Sequence, residues 1–89
     1  MKRETPEQLQ ARMRAANQLV PAGRCLRHVR TGGEYIVQGH CLREGDLALM
    51  VLYRPLTGPC IVFSRTVEGI RAKFVIADGE NWPGPEEAS

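Results

Sequence analysis

The chain is short of almost every feature that announces a reaction. Its three cysteines, Cys25, Cys41 and Cys60, are odd in number and include no CxxC pair, which excludes a disulfide framework and fits a reducing compartment. No stretch approaches the roughly 18 consecutive apolar residues of a membrane-spanning helix. The amino-terminal MKRETPEQLQ is too charged for a secretory leader, so a soluble cytoplasmic protein without a membrane partner is expected. Internal repeats are missing, and so is any Gly-rich nucleophile turn that would supply an oxyanion hole. Lysine is scarce as well: ten of the twelve basic residues are arginine, whose planar fork of donors matches phosphate and carboxylate groups.

What is present fits one domain. A chain of 89 residues that is 43% hydrophobic and 25% charged is globular in composition, and its length allows a single core. So short a chain buries only about 60–65% of its unfolded surface, which makes oligomerisation a natural supplement to stability. Charge is divided by segment. Residues 1–77 carry 12 Lys and Arg against 6 Asp and Glu, a net of +6, while residues 78–89 carry Asp78, Glu80, Glu86 and Glu87 and no base, a net of −4. The expectation is a basic domain over 1–77 followed by a mobile acidic tail over 78–89, with Trp82 too isolated to anchor it.

The segment TPEQLQARMRAANQLV predicts a helix over about 5–20. Thr5 is its N-cap, Pro6 takes the first helical position, and Leu9, Met13, Ala16 and Val20 make a narrow apolar stripe. Pro21, Ala22 and Gly23 end it. From Arg24 the period falls to two, and RCLRHV, EYIVQGHCL, LALMVLY, CIVFS and AKFVI read as five strands over about 24–77. Short connections (TGG, REGD, RPLTGP and TVEGI) make neighbours antiparallel. The fold class expected is mainly β with one N-terminal helix (α+β), a small meander closed or bent into an SH3-like barrel.

Assuming that the shortest turns set the register, Arg30 pairs with Glu34, Leu42 with Leu47, and Tyr53 with Cys60. One face then carries Arg27-Val37-Leu52-Ile61 and Cys25-Gly39-Met50-Phe63, with Val29 and Tyr35 above them, and forms the core. The other carries His28-Ile36-Tyr53-Cys60, Leu26-Gln38-Val51-Val62 and Arg24-His40-Leu49-Ser64, and is half polar. LALMVLY is apolar on both faces and so requires cover on both, by the barrel interior and by the helix or a second subunit. Arg54 and Arg65 fall on the order of 15 Å apart at ~3.4 Å per residue, at opposite rims. Tyr53 and Arg54 are expected near His28 and Tyr35, and Ser64 and Arg65 near Arg24, His40 and Arg43.

Catalytic and metal readings find little support. Cys25 and Cys41 fall on the opposite face from His28 and His40, which removes both a Cys-His pair and a zinc set whose spacing is in any case unfamiliar. The Thr31-Gly32-Gly33 turn is a hairpin turn rather than a phosphate loop. No cofactor is expected. The binding candidates are Arg24, His28, Tyr35, His40, Tyr53, Arg54, Ser64 and Arg65: arginines at strand ends pair with phosphates, and tyrosines stack bases. Solvated strand ends and surface pairs such as Arg30 with Glu34 explain the same arginines without a ligand. Docking on a protein, as a homo-oligomer or on a host protein, is the other reading of the half-apolar face and the helix stripe.

The order Gly23, Arg27-His28, Gly33-x-Tyr35-x-Val37-x-Gly39, Tyr53-Arg54-Pro55-Leu56-x-Gly58, Phe63-Ser64-Arg65 and Phe74, covering about residues 23–75, resembles domain-of-unknown-function family 1653. This family comprises small bacterial and phage domains. The resemblance implies a small β-barrel-like fold and no established activity. LREGD replaces the family's histidine-and-acid-rich turn, and the helix and acidic tail are additions. A phage setting, which the resemblance allows, gives both binding readings a use: sequestering a host defence nucleotide, or docking on and inhibiting a host protein.

Overall fold

A computed structural model describes residues 4–83. Helix α1 (Pro6–Leu19) starts as its sequence dictates. Thr5 Oγ1 accepts from the backbone N–H of Gln8 (3.1 Å), and the Gln8 side chain accepts from the Thr5 N–H (2.8 Å), a reciprocal capping box with Pro6 at the first position. Ala16 and Val20 on its apolar stripe are fully buried, and α1 lies mainly over β2 and β3.

Five strands follow: β1 (Cys25–His28), β2 (Glu34–Leu42), β3 (Leu49–Pro55), β4 (Phe63–Thr66) and β5 (Phe74–Ile76), with a second helix α2 (Val67–Lys73) between the last two. Every neighbouring pair is antiparallel and the order is β4-β3-β2-β1-β5. The mainly β, α+β architecture is as expected, but the sheet remains open. Its last strand does not add beside β4, as a simple meander requires. Instead α2 carries the chain from one edge to the other, and β5 pairs with β1. TVEGI is thus helix rather than a plain connection. Thr66 caps it through Gly69 N–H (3.0 Å), and Val67 and Ile70, three apart, enter the core.

The register differs from the shortest-turn expectation, and each difference has a packing reason. β1 and β2 pair Arg27 with Glu34 and Leu26 with Tyr35, three positions from the expected alignment. An odd shift exchanges the faces: Leu26 becomes fully buried, and Arg27 is exposed. β3 and β4 pair Tyr53 with Phe63, again three positions away, so Cys60, Ile61 and Val62 leave the strand for an exposed loop. Between β2 and β3 an irregularity at Val37/Gly39 changes the alignment, pairing Val37 with Tyr53 but His40 with Val51. Such a bulge re-aims the side chains beyond it.

Both helices and one face of the sheet share a single core of Ala16, Val20, Leu26, Val37, Val51, Tyr53, Val67, Ile70 and Phe74. The opposite face carries the rows Arg27-Glu34, Cys25-Ile36-Arg54, Gly39-Leu52-Ser64 and Cys41-Met50-Thr66. Of these, Met50 alone is buried. Residues 78–83, expected to begin a mobile tail with too little to bury, make contacts with the domain. Trp82 packs against the core and donates its indole N–H to Phe74 O (3.0 Å), while Arg24 pairs with Glu80 (2.7 Å) and Asp78 (3.6 Å). Residues 84–89 lie outside the described residues. Among the described residues, no helix is long and apolar enough to cross a membrane.

Candidate functional site

On the helix-bearing face, at the end of the sheet near α2, several strands deliver aromatic and basic side chains to one hollow. β1 and its turn contribute His28 and Thr31, β2 Tyr35, β3 Tyr53, β4 Phe63 and Arg65, and β5 Phe74; together they line a depression of about 250 Å³. Alternation places them there. His28 is opposite Phe74, Tyr53 opposite Phe63, and Arg65 opposite Val51, all on the core side of the sheet.

Phe74 and Tyr53 form the floor, 2% and 6% exposed. His28, Tyr35 and Tyr53 each meet the Phe74 ring edge to face, with centroids 4.9, 5.6 and 5.4 Å away. Tyr35 meets Tyr53 in the same manner at 5.4 Å. Edge-to-face contacts of this kind add about 0.5–1.5 kcal/mol each beyond burial, so the rings of the floor support one another. Phe63 tilts over Tyr53 at 5.8 Å and is 43% exposed, offering a free ring at the rim.

Arg65 bridges floor and rim. Its Nε donates to Tyr53 Oη (3.1 Å), and its guanidinium carbon lies 5.8 Å from the Phe74 centroid, within cation–π range. That anchorage orients the fork and leaves its terminal nitrogens without a partner among the described residues. His28 is oriented too. Its Nδ1 accepts from the N–H groups of Arg30 (3.2 Å) and Thr31 (3.3 Å), so the neutral ring carries its proton on Nε2, where it is a donor. The supporting turn is closed by Gly32 (φ 76), whose N–H donates to His28 O, and Val29 N–H ties it to Lys73 O at the end of α2.

A wider hollow of about 510 Å³ adjoins the first and shares His28 and Arg65 with it; Val29, Arg30, Ala72 and Lys73 complete its lining. Among the described residues no Asp or Glu lines either hollow. The ion pairs among those residues are Arg12–Glu4, Arg24 with Asp78 and Glu80, and Arg43–Asp46. Arg30, Arg65 and Lys73 therefore line one hollow with no carboxylate beside them among the described residues.

Of the eight residues singled out in the sequence, His28, Tyr35, Tyr53 and Arg65 meet here. The other four do not. Arg54 and Ser64 point to the opposite face of the sheet, and Arg24 is engaged by Asp78 and Glu80. His40 is beneath α1, its Nε2 2.7 Å from Val20 O. The two-rim arrangement is therefore corrected: Arg65 joins Tyr53, Tyr35 and His28, while Arg54 departs, because the actual β3–β4 pairing exchanges their faces. Nor does Arg30 form an ion pair with Glu34 among the described residues; Glu34 is the neighbour of Arg27. Phe63, Phe74, Arg30 and Lys73 were not foreseen as site residues. The signal for two of them was Thr66-x-x-Gly69 ahead of Val67 and Ile70, a capped helical turn that ends at Lys73 and delivers Phe74.

No protein-family model, curated protein or solved structure matches the chain.

Proposed function

We propose that this protein is a non-enzymatic binding module whose ligand is an anionic, ring-bearing molecule, a nucleotide or a nucleic acid, received by the hollow around Arg65. One observation carries the reading: an arginine oriented by Tyr53, and without a carboxylate partner among the described residues, is held over an aromatic floor, next to an exposed phenylalanine and two further cations. A ring stacked on Phe63 gains about 1–3 kcal/mol, and a phosphate accepted by the guanidinium fork gains about 1.5–3 kcal/mol. In a phage setting, which the family resemblance allows, sequestration of a defence nucleotide is one use of such a module.

The test is a thermal-shift and equilibrium-binding panel of nucleotides and single-stranded oligonucleotides. Arg65→Ala and Phe63→Ala are each expected to weaken binding about tenfold or more, while Arg14→Ala, an exposed position on α1, leaves it unchanged. If no member of the panel shifts the melting temperature or binds, the reading is wrong.

A second reading, protein docking, is favoured by a separate feature. Leu56, Ile61, Val62 and Phe63 are all exposed around the β3–β4 loop, beside the unpaired edge of β4. An exposed edge strand flanked by an apolar loop invites pairing with another strand, and a second copy of the chain is the simplest partner.

A further inference from the structure

We infer that the site takes one nucleotide unit, with its base in the aromatic hollow and its phosphate in the basic one, rather than a run of nucleotides along a strand. The inference rests on the binding function proposed above and narrows it.

The two hollows differ in chemistry and share a wall. The smaller is lined by Tyr35, Tyr53, Phe63 and Phe74, and the larger brings Arg30 and Lys73. His28 and Arg65 belong to both. A ligand that spans them is therefore aromatic at one end and anionic at the other, with the Arg65 fork and the His28 Nε2–H at the junction. That is the build of a nucleoside phosphate. A volume of about 250 Å³ is below the roughly 300–1,000 Å³ of sites for drug-sized ligands, and suits one ring system.

The placement of the aromatics sets the limit at one. Proteins that hold single strands present successive stacking platforms along a basic groove. Here the chain has five Phe, Tyr and Trp residues in all. Four are in the one hollow. The fifth, Trp82, is turned inward, with its N–H on Phe74 O and its ring packed on the core. No second platform exists for a second base.

The test compares four probes on the intact protein by isothermal titration: nucleoside 5′-monophosphates, the matching nucleosides, inorganic phosphate, and ten-nucleotide single strands of RNA and DNA. The monophosphate is expected to bind one per chain and at least about tenfold tighter than either the nucleoside or phosphate alone, because both subsites contribute. The decamers are expected to bind no more than about threefold tighter per chain, with a shallow salt slope that reflects few neutralised phosphates. Arg65→Ala is expected to remove the advantage of monophosphate over nucleoside. Tyr53→Phe, which keeps the floor and frees only the guanidinium, is expected to reduce that advantage without unfolding the protein. Decamers that bind while monophosphates do not, or affinity that climbs with strand length, would overturn the single-unit inference and leave the binding function standing. Nucleosides binding as tightly as monophosphates would overturn the assignment of the basic hollow to phosphate. Silence from every probe would overturn both.

Discussion

At the scale of single residues, the hydrogen bond between Arg65 Nε and Tyr53 Oη is the one on which most depends. It converts a flexible arginine into an oriented one. Tyr53→Phe keeps the buried ring and is expected to cost about 1 kcal/mol or less in urea denaturation, the net value of one hydrogen bond. Far from the site, Arg43 donates to Asp46 through Nε (2.9 Å) and a terminal nitrogen (2.7 Å), and Ala48 N–H adds a third bond. The Arg43 hydrogen bonds first, and then the Ala48 N–H, hold the Asp46 carboxyl well below the usual carboxylate range. A carboxylate depressed in the folded state stabilises above its unfolded value, near 4, and loses that contribution as pH falls through the lower folded value. The pair is on an exposed turn and is screened there, so the expected signature is local. By carbon-detected NMR, Asp46 remains ionised at about pH 3, where an ordinary aspartate is mostly protonated. Arg43→Ala removes the largest cause and is expected to raise its titration toward the ordinary range, with the Ala48 N–H still favouring the ionised form.

At the scale of elements, α2 is the piece that completes the site. It crosses between the sheet edges, buries Val67 and Ile70, and places Lys73 and Phe74 at the hollow. Its start is held by Thr66, and Gly69 faces that cap closely: a Cβ at Gly69 would be 3.0 Å from Thr66 Oγ1. Two substitutions should therefore couple. Thr66→Ala is expected to cost about 1 kcal/mol. Gly69→Ala alone gains helix propensity of about 1 kcal/mol but crowds the cap, so it is expected to be neutral or destabilising. In the Thr66→Ala background the crowding is gone, and the same change is expected to stabilise. Chemical denaturation of the four proteins closes the cycle, and equal effects of Gly69→Ala in both backgrounds would refute the account.

At the scale of the whole molecule, the segment after β5 belongs to the fold. Trp82 covers the core behind Phe74, and Asp78 and Glu80 engage Arg24. Truncation after residue 77 is expected to lower Tm by on the order of 10 °C, from the loss of about 2 kcal/mol of apolar burial and packing. An unchanged melting curve would mean that the Trp82 contact contributes nothing in solution. The exposed loop ahead of β4 raises the matter of assembly. If its apolar side chains pair two copies, sedimentation velocity at tens of micromolar detects a dimer that Ile61→Asp dissociates. A monomer at that concentration sinks the pairing of two copies and leaves ligand binding untouched.

Local physics made part of this protein legible in advance. Thr5, Pro6 and the Leu9–Val20 stripe specify α1 without reference to anything distant, because capping and amphipathic spacing are properties of a few consecutive residues. Alternation likewise identified strands and made His28, Tyr35, Tyr53 and Arg65 worth attention. It did not decide which of them meet. That depends on how each strand is aligned with its neighbour, and an odd shift in register reverses every side chain at no local cost. Only the tertiary structure decides such shifts, because the penalty for burying Arg27 in place of Leu26, or for leaving Phe74 without Tyr53 and His28 to cover it, is incurred only when the layers come together. The same holds for Trp82, whose surroundings in sequence are polar and whose partner, Phe74 O, is supplied by an edge strand that no turn length could have placed.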